Sequence, residues 1–129
     1  MGQFTGKCVL IVEDHIIIAM DLAHELASEG AKVIGPVATV AAAHDVMANT
    51  DLDGAILDIN LSGKMVFPVA DALADRHIPF VFATGQDAHE VPARYANVPR
   101  VEKPTASGVV CRALEGAMSG TRNEPAVPL

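Results

Sequence analysis

Five polar groups in this chain stand at the ends of short apolar runs. Glu13 and Asp14 follow Cys8-Val9-Leu10-Ile11-Val12, and Asp58 follows Ala55-Ile56-Leu57. Thr84 follows Phe80-Val81-Phe82-Ala83, and Lys103 closes the brief run that starts at Val98. Three carboxylates, one hydroxyl and one ammonium would make a specific kind of site if the fold brought them together. Two like charges roughly 4 Å apart cost about 4 kcal/mol at an effective dielectric of about 20. A hard divalent cation is the simplest compensation, and Mg2+ suits this set better than Zn2+ because every ligand is oxygen. A metal beside an ammonium and a hydroxyl suits a phosphoryl group, whose oxygens all three can meet. One carboxylate could then act as nucleophile and become an acyl phosphate.

The elements needed to converge these groups can be read from the periodicity. The apolar runs are short and rich in β-branched residues, as strands buried on both faces are. Lys32-Val33-Ile34-Gly35 reads as another strand, which Pro36 should stop. Between the runs the period becomes helical. Ile18, Leu22 and Leu26 share one face of a helix over 15–29, and Gly30 ends it. Thr39 caps a helix through Ala42, Val46 and Met47. Ser62-Gly63-Lys64 reads as a loop. A third helix spans 66–76, with Pro68 in its first turn. Pro92 leaves any helix over 88–95 short or broken. A last helix carries Val109, Val110, Ala113, Leu114 and Met118, capped by Thr105 or Ser107.

Strand and helix alternate five times, which implies a parallel sheet covered by helices on both faces. The expected fold is α/β: a doubly wound, flavodoxin-like three-layer (βα)5 with strand order 2-1-3-4-5. Ligands of such sheets bind beyond the carboxyl ends of the strands, where the order reverses. All five polar groups belong to that edge. The domain is expected over 1–120, with 121–129 as a mobile tail.

Composition removes several alternatives. The chain has 129 residues, half of them hydrophobic, so it can bury a full core. Nine Lys and Arg against sixteen Asp and Glu give a charge of -7, which argues against binding nucleic acid. No apolar stretch is long enough for a bilayer and no signal peptide opens the chain, so the expected compartment is the cytoplasm. Cys8 and Cys111 have no metal-ligand spacing and read as small core residues. His24-Glu25 lacks the second histidine of a zinc protease motif.

Glu13-Asp14, Asp58, Thr84 and Lys103-Pro104, in this order, resemble the receiver domain of bacterial two-component response regulators. The resemblance runs from Lys7 to about Met118. It implies that Asp58 is the phosphoacceptor, taking a phosphoryl group from a sensor histidine kinase. It implies Mg2+ bound by Asp14, Asp58 and the backbone carbonyl of Asn60, with Glu13 acting through a bound water. Thr84 and Lys103 would contact the phosphoryl group. Pro79 to Gly85 and Arg100 to Pro104 further resemble the FAT GUY subgroup, whose members often stand alone and work with HWE/HisKA2 kinases. Three positions depart from the common patterns: Arg100 in place of an aromatic switch residue, Gln86 after Phe-Ala-Thr-Gly, and Thr105 after Lys-Pro. With Arg100 there, the signal is expected to pass through the segment from Gly85 to Tyr95.

The function expected is therefore a stand-alone phosphorylation switch or phosphate sink, a signalling domain rather than a metabolic enzyme, acting on a protein partner. Two rivals are a binding module of this fold that is never phosphorylated and an Asp-nucleophile phosphohydrolase. The hydrolase usually needs a second acid two residues after the nucleophile, where this chain has Asn60.

Overall fold

The computed structural model describes residues 4–84, 91–103 and 106–119. The apolar runs become strands β1 (Cys8–Val12), β2 (Lys32–Val37), β3 (Gly54–Leu57), β6 (Phe80–Thr84) and β7 (Arg100–Glu102). They form one parallel sheet in the order β2-β1-β3-β6-β7, the order expected for the five main strands. Helices α1 (Ile16–Ser28), α2 (Val40–Asn49) and α3 (Phe67–Asp75) carry crossovers between strands, and α4 (Ser107–Ser119) follows β7. A small antiparallel pair, β4 (Asn60–Leu61) and β5 (Lys64–Met65), projects after β3.

Successive strand residues point to opposite faces, and two cores result. Val9, Ile11, Ile56, Val81 and Ala83 pack with Leu22 and Leu26 of α1 and with Val110 and Leu114 of α4. Leu10, Val12, Leu57, Phe80 and Phe82 pack with Met47 of α2, Val69 and Leu73 of α3, and Tyr95. Every residue of β3 and β6 is buried. This double cover is why these strands read as unbroken apolar runs rather than as alternations.

Local chemistry sets the helix limits. Thr39 caps α2 by accepting from Ala42 N–H at 3.0 Å. His15, rather than either member of the acidic pair, caps α1; its Nδ1 faces Ile18 N–H at 3.5 Å. Gly30 closes α1 at φ +92°, with Gly30 N–H on Ala27 O and Ala31 N–H on Leu26 O, each at 3.0 Å. This paired arrangement satisfies the last carbonyls of the helix.

Two expectations are corrected. Pro36 does not end β2, which continues to Val37. β2 lies at the sheet edge, and its register against β1 shifts between Leu10 and Val12, so the missing proline N–H breaks no continuous ladder. Ser62-Gly63-Lys64 is not a loop: Ser62 and Gly63 are the two-residue turn of the β4–β5 hairpin. The doubly wound, flavodoxin-like fold itself is the one expected, and Pro92 keeps the 88–95 region from a long helix where it is described. Among the described residues, the β6–β7 connection holds one 3-10 turn, Ala93–Tyr95, preceded by Pro92. Gln86, Thr105, the first part of the Gly85–Tyr95 segment and the expected tail over 121–129 lie outside the described residues.

That 3-10 turn is pinned to α3. The buried Tyr95 ring stacks on Phe67 at 6.0 Å and meets Phe80 and Phe82 edge-on, each at 5.8 Å. Its hydroxyl donates to Asp71, whose two oxygens Arg94 also grips at 3.0 and 3.2 Å. Arg94 and then the Tyr95 hydroxyl hold the Asp71 carboxyl below its ordinary range.

Gly30 offers a direct test of this construction. A Cβ there would lie 2.7 Å from Thr5 Oγ1 and 2.9 Å from Thr5 Cα. Gly30→Ala should destabilise the domain by about 1–2 kcal/mol through its left-handed backbone alone, and by more through the Thr5 contact. Urea unfolding should show a lower midpoint at unchanged slope. An unchanged midpoint would contradict the cap.

Candidate functional site

Backbone hydrogen bonds carry the strand ladders just past the strand ends and fix the site residues. Glu13 N–H donates to Val37 O at 2.9 Å, Asp58 N–H to Val12 O at 2.8 Å, and Lys103 N–H to Thr84 O at 2.7 Å. The residue after each apolar run is thus locked to a neighbouring strand before its side chain makes any contact. β1 and β3 are adjacent, and the chain leaves them toward opposite sides of the sheet. The carboxylates of Glu13, Asp14 and Asp58 meet at that reversal.

One oxygen from each of the three lies within 4.8 Å of the others. Glu13 and Asp58 are buried, with 3% and 6% of their surface exposed, while Asp14 is half-buried. The Lys103 ammonium stands 2.7 Å from Glu13 Oε1 and 3.4 Å from Asp58 Oδ2. Glu13 Oε1 accepts no hydrogen bond of good angle, so its contact with Lys103 is an ion pair rather than an aligned bond. Its other oxygen accepts from His15 N–H at 3.0 Å. Thr84 is buried at the end of β6, joined to Lys103 through the backbone. Asn60 lies exposed in β4, with its side-chain oxygen on Gly63 N–H at 2.7 Å.

The electrostatics separate the two neighbouring aspartates. Burial, and then the charge of Glu13, push the Asp58 carboxyl up to about 7, against the opposing pull of Lys103. Asp14 moves the other way. A hydrogen bond from Ser62 Oγ at 2.5 Å is the main cause of its lowered value. One ammonium among three carboxylates leaves the pocket short of positive charge. The donor set fits Mg2+: it is all oxygen, closely grouped, and includes a buried Glu13 oxygen that lacks an aligned donor.

The structure therefore brings Glu13, Asp14, Asp58 and Lys103 into one contact group, with Thr84 at its border and Asn60 on the adjoining hairpin. Sequence reasoning missed Ser62 as a partner of Asp14. The Ser-Gly pair is itself a turn signal, but no local pattern reveals which residue its hydroxyl meets. His15 has no ligand spacing in the sequence and reads there as a surface residue. It is exposed, and it also caps α1 and ties Glu13 through its backbone.

No protein-family model matches the chain, and no curated protein matches it either. Solved structures do match. SdrG from Sphingomonas melonis Fr1 is 41% identical, with a TM-score of 0.78, over 92% of this chain and 99% of that one. The BeF3-activated conformation of SdrG from Pseudomonas melonis Fr1 is 41% identical, with a TM-score of 0.68, over 82% and 93%. The N-terminal domain of a response regulator/sensory box/GGDEF 3-domain protein from Carboxydothermus hydrogenoformans is 28% identical, with a TM-score of 0.71, over 88% and 94%. A response regulator receiver protein from Sinorhizobium medicae WSM419, 24% identical over 88% and 95% with a TM-score of 0.74, shares the fold. With this strand order, an acidic pocket at the sheet reversal and these relatives, the chain belongs to the response regulator receiver family.

Proposed function

We propose that Asp58 accepts a phosphoryl group from the phosphohistidine of a sensor histidine kinase. The domain then serves as a cytoplasmic signalling switch or as a sink for phosphoryl groups. The observation that carries this reading is the pairing of a buried Asp58 with Lys103 beside two further carboxylates. Among these acids Asp58 is the natural nucleophile. Glu13 is engaged at both oxygens, by Lys103 and by His15 N–H, and Asp14 holds the Ser62 hydroxyl. Asp58 has the looser of the two ammonium contacts.

In the transfer, an Asp58 oxygen attacks phosphorus. The new P–O bond forms as the P–N bond breaks, and the imidazole nitrogen keeps the electron pair. Lys103 follows the charge of the phosphoryl oxygens, and the Thr84 hydroxyl donates to one of them. Attack of water on the acyl phosphate later releases inorganic phosphate and restores the carboxylate. Asp14, Asp58 and the Asn60 carbonyl would hold Mg2+, with Glu13 reaching it through water. The ion would offset negative charge on the transferring group. The Asp58 carboxyl, pushed up to about 7 in the metal-free protein, must be deprotonated before its oxygen can attack.

A protein donor also needs surface to grip. Ile16, Ile17 and Met20 are more than half exposed at the start of α1, directly after the acidic pair. The Phe-Ala-Thr-Gly segment is the ground for reading the domain as a FAT GUY member that works with an HWE/HisKA2 kinase. No helix among the described residues is long and apolar enough to cross a membrane.

Three results are expected. Asp58→Asn keeps the fold, because the amide is nearly isosteric, but takes up no phosphoryl group from acetyl phosphate and Mg2+; an intact-mass adduct on the variant equal to that on wild type would reject Asp58. Mg2+ raises the melting temperature of the wild type, by linkage worth about 2.7 kcal/mol at 100 times its Kd. Asp14→Ala removes most of that gain, whereas equal gains would place the ion elsewhere. The third result concerns pH in the metal-free protein. The folded value of Asp58 is raised, so its stabilising effect is full below pH 3.8 and is lost as pH rises through about 7. In EDTA, Asp58→Asn should therefore gain stability relative to wild type from pH 5 to pH 8. Parallel stability curves would contradict the raised value.

A further inference from the structure

The hairpin after Asp58 presents a hydroxyl that the proposed transfer does not use. β4 and β5 pair Asn60 with Met65 and Leu61 with Lys64, so Ser62 and Gly63 alone make the turn. Both have positive φ, +53° and +95°, as the tightest hairpin turns require. Glycine accepts this backbone freely. Serine does not, and Asn, Asp or Gly would be the ordinary choice. The turn is nevertheless firmly built. Gly63 N–H donates to Asn60 Oδ1 at 2.7 Å, and Val66 N–H donates to Ile59 O at 2.8 Å across its base.

That geometry delivers Ser62 Oγ to Asp14 Oδ2 at 2.5 Å, a contact between residues 48 apart in the chain. Asp14 is half-buried at the rim, and its oxygen must share a small volume with those of Glu13 and Asp58. Repulsion from those neighbours would turn it outward. We infer that Ser62 is a positioning residue for the metal site, its hydroxyl holding the Asp14 carboxylate against that repulsion in a pose able to bind a divalent cation. A carboxylate has about four lone-pair sites, so one hydrogen bond leaves room for the ion. Outer partners of this kind typically change metal affinity by about 10–100-fold. The inference rests on the proposed Mg2+ site and adds the element that shapes it.

The test is a titration of the full chain with MgCl2, read by thermal shift and by calorimetry. It compares wild type, Ser62→Ala, Ser62→Gly, Asp14→Ala and the double variant Ser62→Ala/Asp14→Ala. Ser62→Ala and Ser62→Gly should each bind Mg2+ at least about tenfold more weakly. Ser62→Gly should melt no lower than wild type without metal, because it relieves the left-handed backbone. This separates loss of positioning from loss of fold. In the Asp14→Ala background, Ser62→Ala should have no further effect on Mg2+. Mg2+ affinity in Ser62→Gly within twofold of wild type, or an undiminished Ser62→Ala effect without Asp14, would overturn the assignment while leaving the Mg2+ site standing. A wild type that MgCl2 does not stabilise would overturn both.

Discussion

Lys103 is the group on which the pocket depends. Two carboxylates buried at one sheet edge would not stay ionised without a cation, and an uncompensated buried charge costs several kcal/mol. Lys103 meets both, Glu13 closely and Asp58 at longer range. It reaches them only because β7 pairs with β6 and its own N–H continues that ladder onto Thr84. The sheet order is therefore an electrostatic requirement as well as a packing result. One ammonium is not enough, since burial and the charge of Glu13 still push the Asp58 carboxyl up to about 7. The pocket is left in need of positive charge, which a divalent ion would supply.

Precision at this edge comes from the backbone. Glu13, Asp58 and Lys103 each leave the sheet from a residue whose N–H is bonded to the strand beside it. The strands cannot slide, because both faces are clamped by helices and the inward residues alternate between two cores. Variation is placed where the sheet tolerates it. The edge strand β2 absorbs Gly35-Pro36 through a register shift, and the hairpin after β3 projects from the rim.

Much of this was legible in the residues. Apolar runs buried on both faces announce parallel strands, and Thr39, Gly30 and Pro68 mark helix limits through side-chain or backbone chemistry that is local in sequence. The acidic pair, Asp58, Thr84 and Lys103 were legible because each directly follows such a run. What escaped depended on partners distant in the chain. Pro36 looks like a strand breaker until β2 is known to lie at an edge. Ser62 looks like a loop residue until the hairpin carries it to Asp14. His15 caps α1 where either acid of the preceding pair could have done so, because Glu13 is drawn inward to Lys103 and Asp14 to Ser62.

The clasp of Tyr95 onto Asp71 has an optical consequence. The chain has one tyrosine and no tryptophan, so all of its ultraviolet emission beyond phenylalanine comes from this single ring. The ring lies in the aromatic cluster with Phe82, two residues before Thr84, and its hydroxyl rests on a carboxylate, a contact that quenches phenol fluorescence. Any rearrangement that loosens the 3-10 turn from α3 would brighten that emission and alter the near-ultraviolet dichroism. The protein thus carries a native, label-free reporter at the seam between its sheet and the segment that leads into β7.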